Sequence, residues 1–478
     1  MPRPLAAVIT LGCKLNTADS EEIARSLHQV GFDVVDSVCE ADAFVINTCS
    51  VTHVADAKSR KLIRSVRRLA PHAAVTVTGC FAQAAGAQAI RSLGVDYVAG
   101  TRDSDKVALI EFLLPYAKAP TAPGRELRTP IRGPARAFVK AQEGCNDVCS
   151  FCIVPRTRGR EESRTIDRVA AEVQQAVDAG AWEVVVTGTQ LGAWGRDLLI
   201  PMKPHHLISG ILERTEVARL RFSSLQPQDM TSELLSLWGD PRLMPHFHLA
   251  LQSGSERTLA AMRRRYTARE FLLAVDRIRA AVPAAAVTTD VIAGFPGESA
   301  ADFGATIDLC REARFAQMHC FPYSQRSRTS AALMPGHLPP ETKKERMRRL
   351  LALNGELAAA FRRECEGLIR PVLWESERVF AKEPALAFGY TDNYIPVYAA
   401  AGRTNRIAPV RLGGVYHDGV RGSIPGRPCE RTSAHPSRFL QSRAARRSRR
   451  HRCAGVEPGP ATRPGCGGPQ HPGVHRSG

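Results

Sequence analysis

The sequence is organised around the stretch Cys145-Asn146-Asp147-Val148-Cys149-Ser150-Phe151-Cys152, which carries three cysteines at Cx3Cx2C spacing. A compact loop with three thiolates can hold three irons of a cubic 4Fe–4S cluster, because such clusters are bound by cysteine thiolates. No fourth cysteine lies in the loop, so one iron would stay open to a substrate or cofactor. A structural zinc knuckle is the alternative, but such sites are closed by four ligands, usually with paired CxxC or His spacing. No second CxxC follows downstream, and the pattern therefore favours an iron–sulfur cluster.

This spacing, with the aromatic residue Phe151 directly before the third cysteine, resembles the radical S-adenosylmethionine (SAM) superfamily. The resemblance implies that Cys145, Cys149 and Cys152 bind the cluster and that the amino and carboxylate groups of SAM chelate the open iron. It also implies that an electron from the cluster cleaves SAM to a 5′-deoxyadenosyl radical.

The composition is that of a soluble globular protein with room for two to four domains. The 478 residues are 44% hydrophobic and 23% charged, and no run of eighteen apolar residues predicts a membrane span. The first residues lead straight into a cysteine motif and are too short for a signal peptide. Without a secretion signal, thirteen cysteines favour metal binding or catalysis in a reducing cytoplasm over disulfides.

The formal charge of +18 is unevenly distributed, since residues 421–478 alone carry +10. The rest of the chain is still basic. A basic excess predicts a polyanionic partner that is contacted through its phosphates. The alternative is a solvated basic surface without a partner.

The N-terminal part repeats one pattern three times: an apolar run, a cysteine and a helical segment. The apolar runs span 5–12, 43–48 and 74–79, and the helical segments span roughly 19–29, 55–70 and 84–93. The alternation predicts parallel strands in a doubly wound α/β domain, where ligands lie at the carboxyl ends of the strands. Cys13, Cys49 and Cys80 each follow such an end, so we expect them to converge as three more ligands. Ordinary buried cysteines are the alternative.

The motifs around these cysteines resemble the N-terminal domain of the methylthiotransferase family. They are Thr10-Leu11-Gly12-Cys13-Lys14-Leu15-Asn16, Asn47-Thr48-Cys49-Ser50-Val51-Thr52 and Gly79-Cys80-Phe81-Ala82-Gln83. The resemblance implies that the three cysteines hold a second, auxiliary 4Fe–4S cluster. The Cys-Lys-Leu-Asn form and Gln142-Glu143-Gly144-Cys145-Asn146 resemble the branch acting on N6-threonylcarbamoyladenosine beside the tRNA anticodon. Branches acting on isopentenyladenosine in tRNA or on a ribosomal protein are the alternatives within the family.

The central part predicts a partial (βα)6 barrel. Its candidate strands are 136–140, 183–187, 219–223, 246–251, 286–292 and 315–321, with helical segments between them, notably 166–179 and 268–281. Active sites of barrels lie at the carboxyl ends of the strands. The Cx3Cx2C loop follows the first strand, which fits this rule.

Three further strand ends carry glycine motifs. These are Thr187-Gly188-Thr189-Gln190, Leu251-Gln252-Ser253-Gly254-Ser255 and Asp290-Val291-Ile292-Ala293-Gly294-Phe295-Pro296-Gly297-Glu298. Each alone is an ordinary strand-end turn, but together and in this order they resemble the SAM-binding strand ends of radical SAM methylthiotransferases. The resemblance implies that Phe151 flanks the adenine and that Phe295 and Pro296 shape its wall. It implies a SAM pocket lined by Gly188, Gln190, Gln252 and Ser253.

Two positions depart from the family pattern, and the first is Ala250, where the family usually carries proline. The segment Tyr323–Thr329 resembles a family segment that has glycine where this chain has Arg328. A side chain at a turn glycine adds a β-carbon where the backbone is expected to need positive φ. We expect Arg328 to perturb a loop near the substrate.

After the barrel, residues 365–425 predict short β-strands and turns with aromatic residues beside basic ones. They resemble the TRAM domain, a small β-barrel that binds RNA in this family, and such a composition suits stacking and phosphate contact. A small barrel without RNA binding is the alternative. Residues 426–478 have no apolar periodicity and predict a disordered basic tail, unless they come from a shifted reading frame.

The predicted organisation has five parts. These are an N-terminal methylthiotransferase domain (1–116), a linker (117–134), a radical SAM domain (135–364), a TRAM-like domain (365–425) and the tail (426–478).

The sequence therefore predicts a radical SAM tRNA methylthiotransferase that modifies C2 of N6-threonylcarbamoyladenosine with SAM and two 4Fe–4S clusters. The expected partners are the tRNA anticodon loop, an electron donor such as flavodoxin or ferredoxin, and a sulfur donor. A cytoplasmic monomer without membrane contact is expected. A noncatalytic, metal-stabilised RNA-binding protein is the alternative from another class; it predicts zinc rather than iron.

Overall fold

The computed structural model describes residues 3–117, 135–380 and 383–425. The predicted linker beyond Ala117 and the predicted tail lie outside these residues. The strands are β1 (Leu5–Thr10), β2 (Asp33–Val35), β3 (Ala43–Thr48), β4 (Ala74–Gly79), β5 (Tyr97–Val98), β6 (Arg136–Glu143), β7 (Glu162–Ser163), β8 (Glu183–Gly188), β9 (Arg219–Phe222), β10 (Ser224–Leu225), β11 (His246–Leu249), β12 (Ala286–Ala293), β13 (Gln317–Pro322), β14 (Ile369–Arg378), β15 (Leu386–Thr391), β16 (Pro396–Ala399), β17 (Arg406–Tyr416) and β18 (Gly419–Ser423).

The α-helices alternate with these strands through most of the described chain. They are α1 (Lys14–Gln29), α2 (His53–Leu69), α3 (Cys80–Ala85), α4 (Ala87–Arg91), α5 (Asp103–Ala117), α6 (Val154–Thr157), α7 (Ile166–Asp178), α8 (Pro204–Arg214), α9 (Ser232–Leu235), α10 (Glu256–Ala261), α11 (Ala268–Ala281), α12 (Ala300–Ala313) and α13 (Pro340–Glu364). Of the helices in these ranges, none is both long and apolar enough to span a membrane.

The N-terminal domain is a five-stranded parallel sheet in the order β2-β1-β3-β4-β5. Its central strands β3 and β4 are buried at every position because helices cover both faces of the sheet. Phe44 and Val75 point into the core on one face, and Val45 and Ala74 into the core on the other. The predicted doubly wound α/β domain is confirmed.

The helix bounds in this domain differ from the sequence-based ones in two places. α1 begins at Lys14 rather than near Asp19, so that it starts immediately after Cys13. The predicted helix over 84–93 is two short helices, α3 and α4, which meet at Gly86. Gly86 has φ +84°, a left-handed conformation that interrupts a helix and favours glycine.

The central domain contains all six predicted strands. Parallel pairing joins β6, β8 and β9 in one sheet and β10, β11, β12 and β13 in another. The two sheets are consecutive because β9 and β10 are separated only by Ser223, and Leu220 in β9 bridges to Leu243 before β11. One apolar core links the strands with α7, α8, α11 and α12. The predicted partial barrel is confirmed.

The C-terminal strands form a closed barrel in the order β14-β15-β16-β18-β17 around a core that includes Trp374 and Val397. The predicted small β-barrel is confirmed. Arginines on β9 attach it to the central domain: Arg219 Nη2 donates to the carbonyl of Pro371 at 2.6 Å, and Arg221 Nη2 to that of Asp392 at 3.0 Å.

Arg328 adopts the conformation that the sequence analysis expected, with φ +70°. We expect Arg328→Gly to raise the free energy of unfolding by about 0.5 kcal/mol. A left-handed non-glycine residue costs the folded state about 1 kcal/mol, and glycine removes this cost. Part of the gain is lost because glycine also increases the conformational entropy of the unfolded chain. Arg328→Ala is the matched control, since it removes the charge but keeps the β-carbon. Urea unfolding of both variants measures the effect, and equal stabilisation by alanine would contradict the backbone explanation.

Candidate active site

The structure brings Cys13, Cys49 and Cys80 together at one edge of the N-terminal sheet. β1, β3 and β4 are neighbours, and the three cysteines follow their carboxyl ends directly or after a short turn. Burial raises the pKa of the Cys49 thiol to about 11, and the Cys80 and Cys13 thiols act in the same direction. The three sulfurs are thus close enough to interact electrostatically. We call them the N-terminal triad.

The backbone around the N-terminal triad depends on a glycine and two asparagines. Gly12 has φ +116°, and a β-carbon there would lie 2.9 Å from Cys49 Cβ, so a side chain would push the triad apart. Asn16 Nδ2 donates to the carbonyls of Leu11 at 2.7 Å and Thr48 at 3.0 Å. Asn47 Nδ2 donates to the Asn16 carbonyl at 2.9 Å. These bonds tie the ends of β1 and β3 to α1.

The second triad, Cys145, Cys149 and Cys152, lies in the loop after β6 and is held by backbone bonds. The Cys145 amide donates to the Gly159 carbonyl at 3.1 Å, and the Ser150 amide to the Met262 carbonyl at 3.1 Å. Burial raises the pKa of the Cys152 thiol to about 12, and Cys149 and Cys145 act in the same direction. We call these cysteines the central triad.

One compact set of possible metal ligands lies outside both triads. Of the Cys, His, Asp and Glu side chains that the structure describes, only His248, Asp290 and His319 bring three ligand atoms within 4.8 Å of one another.

Two arginines that the sequence analysis missed contact the central triad or its loop. Arg264 Nη1 donates to Cys149 Sγ at 3.2 Å, and Arg265 Nη2 lies 2.7 Å from Asp147 Oδ1. Both belong to the basic run after α10, whose consecutive arginines were the available signal. The Arg264 guanidinium thus offers a hydrogen-bond donor to one sulfur of the central triad.

The residues predicted to bind SAM fall into two groups, one near the central triad and one in the loop after β11. Phe151 packs against the cluster that contains Phe295, beside the central triad, and Pro296 is buried in the adjoining turn. Gln190 accepts a hydrogen bond from Cys145 Sγ at 3.4 Å. Gly188 lies nearby, where a β-carbon would be 3.0 Å from Leu191 Cδ2.

Ser253 and Gln252 have supporting contacts. The Ser253 hydroxyl is fully buried against Thr306 Oγ1 at 3.2 Å, on α12. Gln252 has φ +66° and exchanges backbone bonds with Asp290 and Ile292 at the end of β12. Their contacts in the structure therefore position the loop after β11. Glu298 likewise accepts from the Gly294 amide at 2.7 Å and pairs with Arg346.

Buried polar atoms without partners mark where a polar cofactor fits. Thr189 Oγ1 and Gln190 Nε2 are buried and have no hydrogen-bond partner among the described residues. Both follow β8, next to Cys145. Leaving such atoms unpaired is costly, and the amino and carboxylate groups of SAM are partners of the right kind. The donor set therefore fits SAM.

Arg158 connects the segment after the central triad to the N-terminal domain. It follows α6, just after the central triad, and is 3% exposed. Its Nη1 donates to Glu143 Oε1 at 2.7 Å, and its Nη2 donates to Asn16 Oδ1 at 2.6 Å and Asp19 Oδ2 at 3.0 Å. Burial raises the pKa of Cys80, while Arg158 lowers it. The guanidinium thus lies within reach of the N-terminal triad.

A network of buried charges surrounds Arg158 at the domain boundary. Lys140 Nζ lies 3.0 Å from Asp19 Oδ1, 2.9 Å from Asp103 Oδ1 and 2.7 Å from Glu143 Oε2. Burial alone would raise the pKa of Asp19, but Lys140, Arg158 and Lys106 hold it below its ordinary value. Removing one partner from such a network leaves an uncompensated buried charge. The network therefore fixes the two triads relative to each other.

Two family descriptions match the chain. Residues 6–100 match a family described as "Uncharacterized protein family UPF0004", and residues 139–310 match the radical SAM superfamily. The latter range contains the central triad, and the former contains the N-terminal triad.

Similar proteins cover almost the same length. The chain is 36% identical over 440 residues to "Threonylcarbamoyladenosine tRNA methylthiotransferase MtaB" of Bacillus subtilis (strain 168), which spans 86% of this chain and 94% of that protein. It is 34% identical over 436 residues to a tRNA-2-methylthio-N(6)-dimethylallyladenosine synthase of Syntrophobacter fumaroxidans. That alignment covers 88% of this chain and 96% of the relative.

Among solved structures, the radical SAM methyltransferase TsrM from Kitasatospora setae superposes with a TM-score of 0.50 at 14% identity, over 77% of this chain and 76% of that one. This likeness shows the fold. The relatives over nearly the whole chain, together with the radical SAM match, show that the protein is an enzyme of the transferase class that uses SAM and a 4Fe–4S cluster. The chain belongs to the radical SAM tRNA methylthiotransferase family.

Proposed function

We propose that this enzyme adds a methylthio group to C2 of N6-threonylcarbamoyladenosine beside the tRNA anticodon, with two 4Fe–4S clusters. The observation that carries the proposal is the pair of cysteine triads, each made of three thiols, with Arg158 of the central domain beside the N-terminal triad. Cys145, Cys149 and Cys152 hold the cluster that binds SAM. Cys13, Cys49 and Cys80 hold the auxiliary cluster.

The cofactors, when bound, supply the reducing electron, the radical and the sulfur that attack at an inert aromatic carbon requires. The protein binds and orients them. Thr189 and Gln190 offer polar atoms to SAM, Phe151 and Phe295 offer an apolar surface to its adenine, and Arg264 balances charge at Cys149. Burial of Cys49 and Cys80 keeps water from their sulfurs.

The C-terminal barrel supports RNA as the substrate. Phe380 stacks on His417 with ring centroids 4.3 Å apart and planes at 8°, and the Arg421 guanidinium lies 3.4 Å from the centroid of Tyr416. Aromatic rings beside cations suit base stacking and phosphate contact. An anticodon loop is unpaired, so its base can be splayed out toward the triads. We expect the enzyme to work as a cytoplasmic monomer, with an electron donor such as flavodoxin or ferredoxin and a separate sulfur donor.

Relatives named for both threonylcarbamoyl and dimethylallyl adenosines align with the chain, so the substrate needs a direct test. The chain is expressed in a bacterium that lacks its own methylthiotransferases, and its tRNA nucleosides are analysed by mass spectrometry. We expect the methylthio group on N6-threonylcarbamoyladenosine and none on isopentenyladenosine. The reverse pattern, or no methylthiolated nucleoside, would overturn the proposal. Zinc instead of iron in the purified protein would favour the noncatalytic alternative.

A further inference from the structure

A chamber lies between the partial barrel, α13 and the C-terminal barrel. This cavity of about 440 Å³ is lined by residues of β11, β12 and β13, by residues of α13 including Arg362, and by Tyr390, Tyr394 and Asp418 of the C-terminal barrel. Lys14 enters it from the first turn of α1, and His248 and His319 line it from the strands. Lys14 directly follows Cys13 of the N-terminal triad in the chain.

Lys14 is a cation without a carboxylate partner. Its Nζ lies 5.7 Å from the centroid of the Tyr394 ring, and no carboxylate among the described residues lies within 4 Å of it.

The neighbouring arginines, by contrast, are paired: Arg136 Nε lies 2.6 Å and Arg221 Nη2 3.0 Å from Glu183 oxygens. An enclosed charge is costly unless it is paired. Lys14 is therefore available to a ligand anion.

Two histidines add hydrogen-bonding groups to the same chamber. His248 Nε2 and His319 Nδ1 each lie 3.2 Å from an oxygen of Asp290, and His248 Nδ1 lies 3.1 Å from Thr288 Oγ1. Asp290 is thus hydrogen-bonded by the two histidines rather than by Lys14. The His319 side chain is 52% exposed, and its Nε2 has no partner among the described residues. A divalent cation here would add charge beside Lys14 and replace both Asp290 bonds, so the chamber suits an anion better.

We propose that Lys14 and His319 form a subsite that binds the carboxylate of the N6-threonylcarbamoyl group and so selects the substrate. The proposal rests on the proposed function, and it names the residues that distinguish an anionic N6 substituent from an apolar one. An isopentenyl group would occupy the chamber without pairing Lys14. Sites built around polar groups reject analogues that leave those groups unpaired. Because Lys14 follows Cys13, binding the substituent there keeps the adenine near the N-terminal triad.

The test uses anticodon stem–loop RNAs of one sequence that carry N6-threonylcarbamoyladenosine, its carboxylate methyl ester, or isopentenyladenosine. Dissociation constants are measured by fluorescence anisotropy on the full-length protein without SAM, so that the result does not depend on turnover. We expect the wild-type protein to bind the acid about 10- to 100-fold more tightly than the ester, the range for a hydrogen-bonded charge pair. Lys14→Met is expected to bind the acid as weakly as the ester. Its dissociation constant for the ester should differ from the wild-type value by less than about threefold, because the ester makes no ion pair that the substitution could remove.

Lys61→Met, on the exposed surface of α2, is the matched control. If Lys61 contacts phosphates, its loss weakens all three RNAs equally and leaves the acid-to-ester ratio unchanged. His319→Gln is a second variant at a half-exposed position, expected to lower the ratio even if Lys14→Met folds poorly.

Equal binding of acid and ester by the wild-type protein would overturn the subsite while leaving threonylcarbamoyladenosine methylthiolation intact. A Lys14→Met variant that weakens acid and ester equally would also overturn it, because Lys14 would then be structural. Methylthiolation of the isopentenyladenosine RNA alone would instead show that the proposed function fails.

Discussion

Replacing the central triad, Cys145→Ala/Cys149→Ala/Cys152→Ala, is expected to lower iron from about eight to about four per chain and to abolish SAM cleavage, since each cubic cluster holds four irons. The physical reason is that these three thiols lie on one loop. Its backbone amides donate hydrogen bonds to the carbonyls of Gly159 and Met262, which belong to the central domain and not to the N-terminal domain. The N-terminal cluster should therefore survive. Iron and acid-labile sulfide after anaerobic reconstitution, with 5′-deoxyadenosine formation, measure the outcome.

The reciprocal variant, Cys13→Ala/Cys49→Ala/Cys80→Ala, is expected to keep the cluster of the central triad and to lose that of the N-terminal triad. We expect about four irons and continued SAM cleavage, but no methylthiolated RNA, because the auxiliary site has lost its ligands. Cys39→Ala is the matched control: it is a partly buried cysteine of the same domain that packs against the sheet core, and it should keep both clusters. Four irons in the wild-type protein that fall to none without the central triad would contradict the two-cluster assignment.

The strands and the spacing of the cysteines could be predicted from the sequence because both depend on local signals. Apolar runs such as 43–48 and 74–79 are buried on both faces and are long enough to stand out. The order of strands then places their carboxyl ends together. The Cx3Cx2C loop needs no long-range information at all.

The contacts that join the triads could not be predicted in the same way. Arg158 reaches Asn16 and Asp19 across about 140 residues, a separation at which no periodic pattern operates. Arg264 and Cys149 are likewise distant in sequence. Lys14 was part of a motif, but its entry into the chamber depends on α1 beginning at that residue. Long-range side-chain pairing is set by the packed domains rather than by local propensity.

Arg158→Met is expected to destabilise the protein by about 3–5 kcal/mol, because it removes the cation from a buried network and leaves its carboxylates uncompensated. Asp19 and Glu143 both pair with Arg158, and methionine fills similar volume without charge. Arg156→Met is the matched control, since Arg156 lies two residues earlier and is exposed; it should change stability by less than about 0.5 kcal/mol. Urea unfolding of the metal-free proteins provides the comparison.

A purely structural role and a role at the N-terminal triad predict different iron contents for Arg158→Met. Arg158 lowers the pKa of Cys80, which burial raises, so its loss should favour the protonated thiol and weaken iron binding. Measured in the Cys145→Ala/Cys149→Ala/Cys152→Ala background, iron then reports on the N-terminal triad alone. We expect it to fall below about half of the four irons of that cluster, with partial recovery in Arg158→Lys, which restores charge but not the forked geometry. Full iron content in a destabilised Arg158→Met protein would mean that the arginine only joins the domains.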